Sequence, residues 1–134
     1  MTFKEDLKDG EEAEKLASEK LLAHFRIPFK KHKTTEFDLI SPILKVEVKH
    51  DKMALDTDNI AIEYEYKGRP SGIKNTKANL WCYVIDGEVY ICSTQKLIEY
   101  LQVNEYKTTC GGDGKKSRLI LLPIDEFKKL FIKI

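Results

Sequence analysis

The chain has 134 residues, of which 34% are charged and 42% hydrophobic, with a formal net charge of +1. That length suits one domain, residues 1–134, with a real core, and the balance excludes a disordered polymer. No apolar run is long enough to span a bilayer and no signal-peptide pattern opens the chain, so no membrane partner is expected.

The first element predicted is a helix from about Lys4 to Phe25, with Leu7, Leu16, Leu21, Leu22 and Phe25 as its apolar positions. Asp9-Gly10 either interrupts it or starts its main part, with Asp9 as the N-cap. Strands follow near 29–40, 43–50 and 59–67. Ser71 to Trp81 reads as a turn leading into a short helix. Trp81–Ile85 and Glu88–Ser93 alternate around Asp86-Gly87, which is a hairpin signal. Thr94 begins a helix over Gln95–Gln102. Thr109–Ser117 is a glycine-rich mobile loop, Leu119–Pro123 a strand, and Asp125–Ile132 a final helix capped by Asp125. This order predicts an α/β domain of the mixed, α+β kind, with helices on one central sheet.

Cys82, Cys92 and Cys110 form an odd set without metal-ligand spacing, as expected of reduced thiols in the cytoplasm, or in a host cytoplasm if the source is viral. Cys82 and Cys92 fall in strands, as small core residues. His24, His32 and His50 lack zinc-site spacing. The Gly111–Ser117 segment has Thr109 where a phosphate-binding loop needs glycine, which excludes a nucleotide triphosphatase.

The chemistry concentrates in Phe37-Asp38-Leu39-Ile40-Ser41-Pro42-Ile43-Leu44-Lys45-Val46-Glu47-Val48-Lys49. Alternation along a strand puts Leu44, Val46 and Val48 on one face and Lys45, Glu47 and Lys49 on the other. Phe37 and Leu39 share a face opposite Glu36 and Asp38. With Ser41-Pro42 as the turn, Asp38 faces Lys45, and Glu47 is its diagonal neighbour at about 7–8 Å. Two carboxylates so placed can share a hard cation, magnesium or manganese. Such an ion polarises a phosphate, and Lys49 would position the attacking water or stabilise the developing charge. A second Glu-x-Lys, Glu65-Tyr66-Lys67, lies on the next strand, where Ala61, Glu63, Glu65 and Lys67 share a face. Glu47 could therefore be a first acid with that pair as the second. The Asp38–Glu47–Lys49 set is favoured, because the Asp strand and short hairpin precede it. Glu63 would face the same site as an extra metal ligand.

Basic residues cluster at Lys30-Lys31-His32-Lys33, at Lys67, Arg69, Lys74 and Lys77, and at Lys115, Lys116 and Arg118. Around an acidic pocket they would grip a nucleic-acid backbone. Ser71-Gly72-Ile73-Lys74 could offer backbone N–H groups and Lys74 to a phosphate. Trp81 and Tyr83 read as core residues rather than base-stacking ones.

Asp38 followed by Glu47-Val48-Lys49 resembles the D…ExK signature of the PD-(D/E)XK, or restriction-endonuclease-like, nuclease superfamily, in particular its phage-type and resolvase-like members. The likeness covers residues 10–93. Its motif is short, the Asp38–Glu47 gap is at the short end, and Phe37 stands where the family's proline would. Gly10-Glu11-Glu12-Ala13-Glu14 is similar to the family's upstream helical glutamate pattern, which makes Glu14 a further metal ligand, with Glu11 or Glu12 as fallbacks. Asn59–Ile73, continuing through Lys77–Trp81, resembles a segment that sets polar groups beside the catalytic strands.

The resemblance implies a magnesium-dependent (or manganese-dependent) DNA endonuclease, acting on duplex or on branched DNA as Holliday-junction resolvases do. Asp38, Glu47 and Lys49 would be catalytic, Glu14, Asp38, Glu47 and Glu63 metal-binding, and Lys67, Arg69, Ser71, Lys74 and Lys77 DNA-binding. A nuclease this small is expected to act as a homodimer. The rival expectations are a non-catalytic nucleic-acid-binding module of the same fold, and a protein-interaction domain whose acidic face is merely solvated.

Overall fold

A computed structural model describes residues 3–32 and 37–134, with the side chains of Phe3–Leu7 and Asp113 excepted. The predicted strand over 29–40 and the basic cluster at 30–33 therefore fall partly outside the described residues, as does Glu36.

Helix α1 (Phe3–Phe25) runs unbroken through Gly10. Asp9 is thus an interior residue and not a cap, and its carboxylate pairs with Lys52 instead. Ala13, Ala17 and Leu21 recur every four residues, which stacks them on one face, and all three are buried.

Two sheets follow, where one central sheet is predicted. The first has the order β1 (Lys30–Lys31), β2 (Leu39–Ile40), β3 (Lys45–His50), β6 (Leu80–Ile85), β7 (Glu88–Ser93), β10 (Ile132–Lys133). Its strands pair antiparallel except β3 with β6, which are parallel, so the sheet is mixed. The second is antiparallel, in the order β5 (Arg69–Pro70), β4 (Asn59–Tyr66), β9 (Ser117–Pro123), β8 (Thr108–Gly111). A one-turn helix α2 (Ala54–Thr57) leads into β4, α3 (Thr94–Gln102) follows β7, and α4 (Ile124–Leu130) follows β9. The α+β class expected from the element order is what the chain adopts. No described helix is long and apolar enough to cross a membrane.

The pleat of the first sheet divides its side chains between two cores. Leu39, Val46, Leu80, Cys82, Val84, Val89 and Ile91 pack under α1 with Ala13, Ala17 and Leu21. Trp81, Tyr83, Ile85 and Cys92 point the other way, into a core shared with Ile60, Ile62 and Leu122 of the second sheet, Leu97 of α3, and Phe127 and Leu130 of α4. The second sheet thus covers the face of the first that carries Glu47.

Several elements depart from the sequence reading. Residues 71–81 hold no α-helix: a single 3-10 turn at Gly72–Lys74 gives way to irregular chain before β6. The first third of the predicted loop 109–117, Thr109 to Gly111, belongs to strand β8, because it pairs with β9. The last helix ends at Leu130, and Ile132 pairs with Ile91 in β10. The capping residue of α3 is Ser93, whose Oγ accepts the Lys96 N–H at 3.1 Å. The 86–87 hairpin forms as expected, with Asp86 at φ 49° and Gly87 at φ 75°.

Candidate active site

The hairpin register differs from the one expected. Leu39 pairs with Val46 and Ile40 with Lys45, so the loop is Ser41–Leu44 rather than Ser41-Pro42 alone. Ser41 closes this loop, with its Oγ accepting the Leu44 N–H at 3.0 Å. Carried one residue further, the register sets Asp38 opposite Glu47, not opposite Lys45. Phe37 and Leu39 do not share a face either: Phe37 joins the core between the sheets and Leu39 the core under α1. The reason is that β2 begins only at Leu39, so alternation does not extend back to Phe37.

Asp38 sits where the ladder frays. Its N–H donates to the Val46 carbonyl and its own carbonyl accepts the His32 N–H, both at 2.9 Å. Its Oδ2 accepts the Val48 N–H at 2.7 Å. The side chain thus replaces the acceptor that a continuing strand would offer, and the carboxylate is held at the level of the sheet. Glu14 reaches it electrostatically from α1 on one side and Glu47 hydrogen-bonds to it from the other.

Glu47 follows from its place on β3: between buried Val46 and half-buried Val48, it must point to the inter-sheet face. Its side chain is 18% exposed. Burial pushes its carboxyl from the ordinary 4.5 up to about 7, Lys49 pulls it down, and the Asp38 charge and hydrogen bond raise it again. Burial, then Asp38, also raises the Glu14 carboxyl, against the pull of Lys31, whose Nζ is 3.7 Å from Glu14 Oε2. Lys49 Nζ lies 3.5 Å from Glu47 Oε2 and 5.7 Å from the centroid of the Trp81 ring.

Glu47 and Lys49 open into a cavity of about 340 Å³, whose other walls are Glu63, Ser71, Gly72, Asn75, Thr76, Lys77 and Trp81. Glu63 belongs to β4 and comes next to the register shift between Glu63 and Glu65. Gly72 lies against that stretch of backbone: at φ +54°, a Cβ on it would stand 2.1 Å from the Glu63 carbonyl oxygen. Only glycine lets the 71–77 segment press so close. Asn79 clamps the far end of that segment. Its N–H donates to the Lys45 carbonyl at 2.8 Å and its Oδ1 accepts the Lys45 N–H at 2.9 Å.

Of the candidate site residues, Asp38, Glu47 and Lys49 are brought together, and Glu63 shares the cavity of Glu47 and Lys49, whose wall does not include Asp38. Glu14 reaches only the Asp38 side. These carboxylates form a chain of neighbours rather than a cage, since no three His, Cys, Asp or Glu among the described residues are grouped to hold a metal. Two adjacent carboxylates still suit magnesium, which keeps several waters and takes one or two carboxylates plus phosphate oxygens. Burial and the neighbouring Asp38 charge raise the Glu47 carboxyl, and a bound cation would relieve that.

The basic candidates separate. Ser71 and Lys77 line the cavity. Lys77 does so from irregular chain and not from a helix. Lys74 Nζ instead lies 5.1 Å from the Tyr64 ring centroid and Lys67 Nζ 5.4 Å from that of Tyr66, while Arg69 is exposed on β5. The alternative pairing through Glu65 and Lys67 fails. Glu65 Oε2 is 3.1 Å from Arg118 Nε, and Lys67 sits in the β4–β5 turn at φ 49°.

Thr76, Asn75 and Trp81 are cavity residues that the sequence reading missed. Trp81 is fully buried, as expected, yet it stands directly beside Glu47 in the parallel β3–β6 pairing. A second cavity of about 940 Å³, lined in part by Asp9, His50, Asp51, Ala61, Tyr83 and Leu119, also has Lys49 on its wall. Comparison of the sequence with models of known protein families and with curated proteins finds no match.

Proposed function

We propose that the protein is a magnesium-dependent DNA endonuclease, with manganese able to replace magnesium. The observation that carries this reading is the Asp38–Glu47 carboxyl pair, hydrogen-bonded and half-buried, with the Lys49 ammonium 3.5 Å from Glu47 at the mouth of a cavity. Burying two adjacent carboxylates costs stability unless a proton or a cation is shared between them. Asp38 and Glu47 would hold the ion, and Glu63 on the cavity wall and Glu14 on the Asp38 side would act on its waters. When bound, the cation supplies Lewis-acid polarisation of the scissile phosphate.

The chain's own residues do the rest. Lys49 is a fixed positive charge beside the reacting phosphate and stabilises negative charge as it grows. Trp81 holds the Lys49 ammonium by its ring face and limits where it can go. Without the cation the Glu47 carboxyl is pushed up to about 7, and a bound cation would hold it as the carboxylate. Lys77 on the cavity wall and Arg69 on the neighbouring exposed strand would contact the backbone.

The test is a cleavage assay on branched, duplex and single-stranded DNA with magnesium or manganese, comparing wild type with Glu47→Ala and Lys49→Ala. Cutting by wild type alone is expected. Equal cutting by all three removes this site from the reaction. Binding without cutting in either metal leaves a non-catalytic nucleic-acid module.

A further inference from the structure

Two hydrogen-bond donors in the cavity wall are buried with nothing to bind. Trp81 is fully buried and its Nε1–H has no partner among the described residues, and neither does the buried Oγ of Ser71. A buried donor left unpaired costs on the order of 1–3 kcal/mol, so such groups call for an occupant. Both residues line the 340 Å³ cavity, together with Lys49, Thr76 and Lys77. Thr94 Oγ1 shares the same status but belongs to the start of α3 and does not line this cavity.

The chemistry of these groups narrows the occupant. An indole N–H and a lysine ammonium can only donate. The Thr76 Oγ1 already accepts the Ala78 N–H at 3.1 Å, which leaves its hydroxyl proton to donate. The wall thus offers donors and positive charge to one anion with several acceptor oxygens, and a phosphate has that character. Glu47 and Glu63 oppose a bare anion, so the phosphate must arrive with the divalent cation of the proposed site. The volume sits at the low end of the small-ligand range of about 300–1,000 Å³. That is room for one nucleotide unit and not for a base pair within the cavity.

Ser71 is also held in advance of binding. Its N–H donates to the Tyr64 carbonyl and its carbonyl accepts the Lys74 N–H, both at 3.1 Å, and Gly72 is pressed on the Glu63 backbone.

We infer that this cavity is a phosphate subsite for a single unpaired nucleotide, bound by Ser71 Oγ, Trp81 Nε1 and Lys77. The inference rests on the nuclease reading for its cation, and it assigns that nuclease substrates with an unpaired strand, such as a flap, an overhang or a single-stranded region.

Trp81 is the one tryptophan of the chain, so its fluorescence reports on this wall alone. The experiment titrates the full-length protein with thymidine 5′-monophosphate in magnesium, and with thymidine as the control. The nucleotide should give a saturable change in Trp81 emission and thymidine should give none. Ser71→Ala and Lys77→Ala, with folding verified by circular dichroism, should each weaken the nucleotide at least tenfold. In calcium, an oligonucleotide with a 5′ overhang should change the emission and a blunt hairpin should not. An equal response to thymidine, unchanged affinity in both variants, or equal responses to overhang and hairpin would each overturn the inference. A mononucleotide has no phosphodiester to cut, so the two readings fail separately. Cleavage without the Trp81 response removes the subsite alone, and the response without cleavage removes the hydrolase alone.

Discussion

Asp38 Oδ2 accepts the backbone N–H of Val48 at 2.7 Å, so the aspartate caps the strand that carries the glutamate and the lysine on either side of Val48. One residue thereby serves both architecture and chemistry, and the two can be separated. Asp38→Asn keeps an oxygen for Val48 but loses the charge; it should leave thermal stability close to wild type and abolish cutting. Asp38→Ala should abolish cutting and also cost on the order of 1–3 kcal/mol, because the Val48 N–H loses its acceptor. Equal destabilisation by both variants, read in urea melts, would contradict this division of roles.

Glu47 gives a pH signature. Its carboxyl is raised from 4.5 to about 7, so the folded state holds that proton more tightly than the unfolded chain. Between those two values the folded state binds more protons, and stability falls as pH rises. Below about 4.5 there is no penalty, and above 7 the penalty is complete, about 3 kcal/mol at most. Glu47→Gln should therefore melt higher than wild type at pH 8, with the gap closing as pH falls toward 4.5. Magnesium at pH 8 should raise the melting temperature of wild type but not that of Glu47→Gln. A gap that stays constant with pH would show that Glu47 is not perturbed.

Lys49 lies between the Glu47 carboxylate and the Trp81 ring. Lys49→Met keeps much of the aliphatic bulk and removes the charge. Cutting should fall by about 10²–10³, the usual effect of losing one stabilising group at a reacting centre. Trp81 emission should also change, since the cation over its face is gone. Single-turnover rates at saturating enzyme would separate this loss from weaker DNA binding.

Gly72 is a steric requirement. At φ +54°, with the Glu63 carbonyl oxygen 2.1 Å from where a Cβ would stand, Gly72→Ala has no room without moving backbone. The cost should exceed about 1 kcal/mol. Because the shift displaces Ser71, nucleotide binding should weaken with it. Unchanged melting and unchanged binding would show that the loop is not pressed onto β4.

The alternation in 44–49 was legible in the sequence, since period-two patterning needs only neighbouring residues. The 86–87 hairpin was legible for the same reason, since turn chemistry is local; the stripe of α1 was legible only at Leu21, for Leu22 is exposed and the rest of the buried face is Ala13 and Ala17. Glu47 and Lys49 could therefore be assigned to one face before any fold was known.

What local pattern could not decide was where chain segments distant in sequence meet. The Asp38 register moved by two residues because the loop takes in Ile43 and Leu44, closed by Ser41. The parallel pairing of β3 with β6 set Trp81 beside Glu47, and a separate antiparallel sheet brought Glu63 and Ser71 across from it. Long-range pairing also made β8 from a glycine-rich stretch that reads as a loop. The amino-acid pattern alone settled which faces are apolar and which carry charge, because burial follows side-chain polarity along each element. Only the tertiary structure decided which charges share a cavity, because that depends on the register and crossing of strands far apart in the chain.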